Sequence, residues 1–206
     1  MRKFRKPIIT PMQPEDFAEV CSWEEKYKDD KDFESLKQYI AYEAQEYKES
    51  EILYGNPDVN IENYSLVDLF QHNYFDSLEK QDDFDEMNTA YALKNEKGEI
   101  VAWVLAALCD LPSHVNPLYV MGFAVHPKHQ NKGYGTMLMN NLISDPVKYF
   151  GSKPDKYYIY MQKDCPAGVA LLNKFGFKVS EGENCVCGFT YKPTPISESQ
   201  PSSNEW

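Results

Sequence analysis

The residues with the clearest chemical potential lie at 121–136, reading Met-Gly-Phe-Ala-Val-His-Pro-Lys-His-Gln-Asn-Lys-Gly-Tyr-Gly-Thr. An apolar run ends at His126-Pro127, a polar loop follows, and Gly133 and Gly135 stand at the mouth of the next helix. The first turn of a helix has N–H groups without intrahelical partners and carries partial positive charge. Glycine lets a bulky anion approach the backbone closely, and Gln130 and Lys132 add donors. The chemistry predicted is binding of a phosphate or pyrophosphate. Two phosphate motifs fail on spacing. A dinucleotide fingerprint wants a third glycine where Leu138 stands, and a P-loop wants Lys-Ser/Thr where Thr136-Met137 follow Gly135. Gly-x-Gly alone is also compatible with a strand-to-helix turn that holds no ligand.

The elements that position this loop follow from periodicity. Lys6 to Met12 reads as a short strand, which Pro11 confines to an edge or ends early. Residues 14–28 form a helix, with Pro14 in its first turn and Phe17, Val20 and Cys21 at helical spacing. A second helix runs to about Ser50, capped by Asp32, with Phe33, Leu36, Tyr39, Ile40, Glu43 and Tyr47 near one stripe. A stripe so rich in tyrosine suits a half-wet wall. Asn63 to Leu78 holds a short helix or two, with Leu66, Leu69 and Phe70 inward. Asp82, Asp83, Asp85 and Glu86 form a solvated acidic run.

Thr89 to Leu93, the turn Asn95 to Gly98 and Ile100 to Leu108 read as a β-hairpin. Pro112 and Pro117 bracket a loop. Leu118 to Val125 is a strand covered on both faces. Gly133 to Ile143 is an amphipathic helix with Met137, Leu138, Leu142 and Ile143 inward. Tyr157 to Met161 is a strand, and Gly168 to Phe175 a helix ended by Gly176. Phe177 to Val179 and Val186 to Tyr191 close the fold. The fold class is α/β, as a mixed α+β sheet. Residues 1–192 form a single domain with an insert at about 52–86, and 193–206 form a disordered tail.

The 206 residues carry a net charge of −11. Residues 14–100 hold 24 acids and 8 bases, whereas residues 101–206 hold 8 acids and 9 bases. This balance opposes nucleic acid as a partner. Either the acids of the front half serve solubility, or they receive something cationic. No apolar run reaches the ~18–20 residues a membrane span needs. Five cysteines form no zinc pattern, and with no secretory leader they favour a reducing, cytoplasmic setting, the nucleus remaining open. His126 and His129 are expected in solvated positions rather than on a metal.

Val125-His-Pro-x-x-Gln130-x-x-Gly133-x-Gly135 resembles motif A of the GNAT N-acetyltransferase superfamily. Ala170 to Phe177, reading Ala-Leu-Leu-Asn-Lys-Phe-Gly-Phe, resembles its motif B. One helix and one strand separate the two, as in that family, and Gln130 through Leu142 is especially similar to its histone-acetyltransferase branch.

The resemblance implies a central sheet that splays open beside the loop. It implies acetyl-CoA as cosubstrate, no metal, and direct transfer of acetyl to a primary amine, which the acidic front half predicts to be that of a cationic small molecule or of a lysine or amino-terminal peptide. The pyrophosphate falls to the backbone of Asn131, Lys132, Gly133, Tyr134, Gly135 and Thr136, with Gln130 at the mouth of the loop. The pantetheine arm falls to the strand edge at Phe123, Ala124 and Val125. The acceptor falls to the first two helices, and the insert, with Tyr54, Tyr64, Tyr74 and Phe75, is a candidate lid over it. A monomer or homodimer is expected.

The departures concern proton transfer. The family's motif-B tyrosine, a proton donor to the leaving thiolate, aligns with Leu172. The asparagine often found before that helix aligns with Cys165. The glutamate base of the histone branch aligns with Tyr119, whose phenol has a pKa of ~10 when free. Tyr119, Cys165 and Tyr160 are therefore the catalytic candidates, with Asp110, His114 and Asp164 nearby. The alternative is an acyl-CoA-binding module of the same fold with weak or no catalysis.

Overall fold

Residues 6–76, 86–109, 116–162, 165–181, 185–190, 193 and 195 are described by a computed structural model. Asp82, Asp83, Asp85, Asp110, Pro112, His114, Asp164 and nearly all of the tail lie outside the described residues. The chain runs β1 (Ile8–Pro11), α1 (Pro14–Tyr27), α2 (Glu34–Leu53), α3 (Leu66–Phe70), β2 (Glu86–Lys94), β3 (Ile100–Cys109) and β4 (Pro117–Val125). It continues with α4 (Tyr134–Ser144), α5 (Pro146–Phe150), β5 (Lys156–Gln162), α6 (Pro166–Lys174), β6 (Lys178–Glu181) and β7 (Cys185–Thr190). A π-helical turn, Gln71–Phe75, continues α3.

The strands form one sheet in the order β1-β2-β3-β4-β5-β7-β6. Every pairing is antiparallel except β4 with β5. Pro11 sits in the edge strand, where its missing N–H costs no ladder bond. This is the mixed α/β sheet expected from the sequence.

β3 is buried along its whole length, so its alternate side chains feed two cores. Val104 and Ala106 face α4, α5 and α6, joining Leu138, Phe150 and Leu172. Trp103 and Leu105 face α1, α2 and α3, joining Val20, Trp23, Ile40, Leu69 and Phe70. Leu66, Leu69 and Phe70 are almost completely inaccessible, so this part of the segment after α2 belongs to the second core. Tyr74 and Phe75, two of the candidate lid aromatics, lie 5.3 and 5.0 Å from the Phe17 ring. Tyr54 is exposed.

Three expectations change. Met137 is exposed and Met139 takes its place, because the inward face of α4 runs through Leu138, Met139, Leu142 and Ile143. A 3-10 turn, Lys31–Phe33, precedes α2, so Phe33 rather than Asp32 occupies the cap position. The short helix α5 was not expected; Asp145 caps it, accepting from the Lys148 N–H, and it buries Tyr149 and Phe150.

The centre of the sheet is tight at Gly122. A Cβ there would stand 2.8 Å from Cζ3 and 3.0 Å from Cη2 of Trp103, which is fully buried and cannot retreat. Gly122→Ala is therefore expected to cost about 1–3 kcal/mol of stability through overpacking. Chemical denaturation should show a lower midpoint with an unchanged slope.

Candidate active site

β4 and β5 pair in parallel only from Pro117↔Lys156 to Val120↔Ile159. Past that rung β4 runs on through Met121–Val125 with no further β5 partner among the described residues. The cause of the divergence lies on the other edge of β4. Val120 pairs with Ala106 and Gly122 with Leu105, so Met121 is an extra residue, a bulge that bends the strand.

Beyond the bulge the His126 N–H donates to Val101 at 3.0 Å, which fixes the direction of each backbone group. His126, Ala124 and Gly122 turn their backbone groups toward β3, and Phe123 and Val125 turn theirs toward the split. The split therefore presents an edge able to pair with an extended guest.

This edge leads directly into the loop. Asn131 and Gly133 both adopt left-handed backbone, with φ of 58° and 81°. Left-handed residues in such a loop turn successive N–H groups toward one concave side, which suits an anion. The first intrahelical bond of α4 is Met137 N–H to Gly133, so the N–H groups just before it have no partner within the helix. The two glycines have different reasons. Gly133 needs positive φ, whereas a Cβ on Gly135 would lie 3.3 Å from Val125 Cγ2 and 3.5 Å from the Phe123 ring. Gly135 thus lets α4 sit directly on the strand that forms the split. The Lys132 ammonium donates to the Lys128 carbonyl at 2.7 Å, bracing the loop and leaving two further N–H bonds.

His126 differs from expectation, being buried rather than solvated. Its ring meets Trp23 and Tyr27 edge-on at 4.7 and 5.0 Å, and Nδ1 accepts the Lys128 N–H at 3.2 Å. It therefore anchors the loop onto α1. His129 is half-buried and lies 5.1 Å from it, ring to ring. Among the described residues no cluster of His, Cys, Asp or Glu is suited to hold a metal.

The catalytic candidates sit on three different elements. Tyr119 lies in the paired part of β4, stacked on Tyr158 with ring centroids 4.9 Å apart. Tyr160 lies in β5, paired through its backbone with Cys187, one residue past the last β4 rung. Cys165 precedes α6 with a half-buried thiol that caps nothing. Leu172 is buried in the first core, so its place in motif B serves packing.

Two residues of the α2 stripe enter the site unannounced by any motif. The Tyr39 hydroxyl donates to the carbonyl of Met121, the bulge residue itself. Glu43, one turn on, accepts from Asn73 Nδ2 at 2.9 Å and contacts the Tyr39 hydroxyl. Burial raises the Glu43 carboxyl above the ordinary glutamate pKa. The signal available in the sequence was the tyrosine-rich stripe; which of its members meets β4 was not readable there.

The sequence model of the GNAT acetyltransferase family matches residues 59–177, from before α3 to the end of motif B. The chain belongs to the GNAT acetyltransferase family. Solved GNAT structures share its fold over almost the whole chain. A spermidine N-acetyltransferase from Vibrio cholerae, in complex with CoA and spermine, is 11% identical with a TM-score of 0.55, over 91% of this chain and 96% of that one. The ribosomal-protein-S18-alanine N-acetyltransferase from Escherichia coli is 13% identical with a TM-score of 0.53, over 95% and 98%. An acetyltransferase from Thermus thermophilus is 16% identical with a TM-score of 0.51, over 91% and 97%. Comparison with curated protein sequences gives no match.

Two outcomes follow from this geometry. Gly135→Glu puts a carboxylate where α4 meets Val125 and faces any bound phosphate with like charge. Calorimetry should show CoA binding abolished, with the secondary structure kept by circular dichroism but a lower denaturation midpoint, because the added side chain presses on Val125 and Phe123. The second concerns His126, whose pKa is lowered to about 4 by burial, with the neighbouring charges of His129 and Lys128 adding to it. An unfolded histidine titrates near ~6.5, so the unfolded chain binds more protons between those values. The contribution of His126 is fully present above that range and lost as pH falls toward about 4. His126→Asn should flatten this part of the stability-against-pH curve, measured by denaturant midpoints.

Proposed function

We propose that this protein transfers the acetyl group of acetyl-CoA directly to a primary amine on a cationic acceptor. The carrying observation is the continuity of the split with the loop. Outward backbone groups at Phe123 and Val125 run without a break into the left-handed turns at Asn131 and Gly133 and the start of α4. An extended thioester ending in a pyrophosphate matches that order of groups, and the GNAT structure that holds CoA adds support.

Acetyl-CoA supplies an activated acyl carbonyl. The N–H groups of Asn131 to Thr136 hold the pyrophosphate, with Gln130 and Lys132 beside them. Phe123 and Val125 pair with the pantetheine arm, and Ala124 between them keeps the strand in register. A strand N–H near the bulge polarises the acyl oxygen as it gains charge. The acceptor nitrogen then needs proximity and a lone pair, and Tyr119, Tyr160 and Cys165 are the proton-handling candidates named by sequence position.

A cationic acceptor is favoured by the acidity of residues 14–100, which include α1 and α2 on one side of the split. The spermine bound to the Vibrio cholerae enzyme is an example of such a ligand on this fold. The odd count of five cysteines supports a reducing setting, the cytoplasm or the nucleus. Burial of Leu172 favours one competing reading, a module that binds acyl-CoA without chemistry.

Thiol release from acetyl-CoA, followed across polyamines, arylalkylamines, amino acids and lysine peptides, separates the two readings. We expect turnover with cationic amines and a KM that rises with ionic strength. CoA binding without turnover on any amine supports the binding module instead. Activity confined to neutral or acidic acceptors and indifferent to salt refutes the cationic acceptor.

A further inference from the structure

Acetyl transfer to an ammonium group requires something to take its proton. Leu172 has no proton chemistry and is buried in the first core. Tyr119 is a phenol stacked on Tyr158. A carboxylate does reach this region, from α2.

Tyr119 and Met121 lie two residues apart on β4. Leu118 and Val120 belong to the first core, so both lie on the opposite face of the strand, the face that α2 covers. Tyr39 touches β4 on that face, donating to the Met121 carbonyl at the mouth of the split. Glu43 follows one turn later and contacts the same hydroxyl. Asn73, on the π-helical turn, donates to its Oε2 at 2.9 Å and fixes the carboxyl from the other side. Glu43 is thus held one hydroxyl away from the bulge, beside the place where a guest on the Phe123–Val125 edge would present its reacting end.

We propose that Glu43 is the general base of the acetyl transfer, taking a proton from the acceptor ammonium at the β4 bulge, with Tyr39 as its positioning residue. This rests on the transferase reading above.

In this step one ammonium N–H bond breaks, its electron pair stays on nitrogen, and the proton joins a Glu43 oxygen. The neutral amine forms a C–N bond with the acyl carbon, and the C–S bond breaks with its pair on sulfur. A second proton lost from nitrogen neutralises the thiolate. The products are an amide and a thiol, and Glu43 returns its proton to solvent.

The surroundings suit both protonation states. Tyr39 has one hydroxyl proton and two acceptors in reach, the Met121 carbonyl and the Glu43 carboxylate. Once Glu43 is protonated it can donate to the Tyr39 oxygen while Tyr39 donates to Met121, leaving no buried donor orphaned. The groups facing Glu43 are Tyr39 and Glu46 on α2, Asn73 on the π-helical turn and Tyr64 before α3. Burial and Glu46 raise its pKa, which brings a carboxylate closer to the range useful in a base. Tyr64 is raised by burial and by Glu43, so it stays a neutral phenol.

A merely structural Glu43 would tie α2 to the π-helical turn, and a glutamine would serve almost as well. The test is therefore the pH profile of kcat/KM for an amine that the wild-type protein acetylates, with Glu43→Gln, Glu43→Asp and CoA calorimetry on each. We expect E43Q to keep CoA affinity within about twofold, to lose on the order of 10²-fold in kcat, and to lose the acidic limb of the profile. E43D should retain that limb with an intermediate kcat. An E43Q variant within about threefold of wild-type kcat, with its acidic limb unmoved, overturns the assignment and leaves acetyl transfer standing. Loss of CoA affinity in both variants makes Glu43 structural and also overturns it. Absence of wild-type turnover on every amine removes the transferase reading, and this assignment with it.

Discussion

The site depends on one extra residue in one strand. Met121 has no partner on β3, and the β4–β5 ladder ends at the residue before it. A regular strand would continue pairing with β5 and close the edge that Phe123 and Val125 present. The bulge is held from the face that α1, α2 and α3 cover. Gly122 lies against the Trp103 ring with no room for a Cβ, and Tyr39 satisfies the displaced Met121 carbonyl. A bulge leaves a backbone group out of the ladder, and a buried carbonyl without a donor is costly. The Tyr39 hydroxyl removes that cost and in doing so draws α2 to the mouth of the split. The architecture that opens the sheet and the contact that brings an acidic helix to the opening are therefore one arrangement.

The second constraint is how closely α4 must approach the same strand. The anion-facing turn is useful only if its N–H groups lie in line with the strand edge. That alignment requires α4 to rest on Val125 and Phe123, which Gly135 permits. Gly133 contributes something else, the left-handed turn that starts the helix. His126 pins the far side of the loop, its neutral ring wedged between Trp23 and Tyr27. A charged imidazole there would have to be desolvated with lysine and histidine beside it, so the loop's anchor is uncharged by construction.

How legible the molecule was in its sequence follows from the range of each interaction. The loop was readable because its chemistry is local: an apolar strand, a proline, two glycines and a helix within sixteen residues. The strands, α1, α4 and α6 were readable from periodicity. Met137 and Met139 were exchanged because both flank Leu138 and only the direction of the sheet decides which one is covered. His126 reads in sequence as a loop residue, since its burial comes from Trp23 and Tyr27, about a hundred residues earlier. Tyr39 and Glu43 were visible as members of a stripe and no more. The contact of Tyr39 with Met121 spans 82 positions, and no periodicity carries information over that distance.

The acidity of the front half needs the same distinction between amount and placement. On α2, Glu46 and Glu49 are exposed, and Glu49 accepts from Gln45 one turn away. Charges of this kind keep a helix solvated, and beyond about 8–10 Å at physiological salt they are screened from one another and from a ligand. Their number alone selects no substrate. Glu43 is on the same helix with the same charge, yet it is half-buried, bonded to Asn73 and set against the hydroxyl that meets the bulge. Removed from water, a carboxylate interacts far more strongly with a cation than its exposed neighbours do. A bound ammonium would also relieve the cost of keeping that carboxylate charged. On the proposed reading, the excess of acids draws a cation toward α1 and α2, and discrimination between an ammonium and a neutral acceptor falls to Glu43, which the fold has partly desolvated.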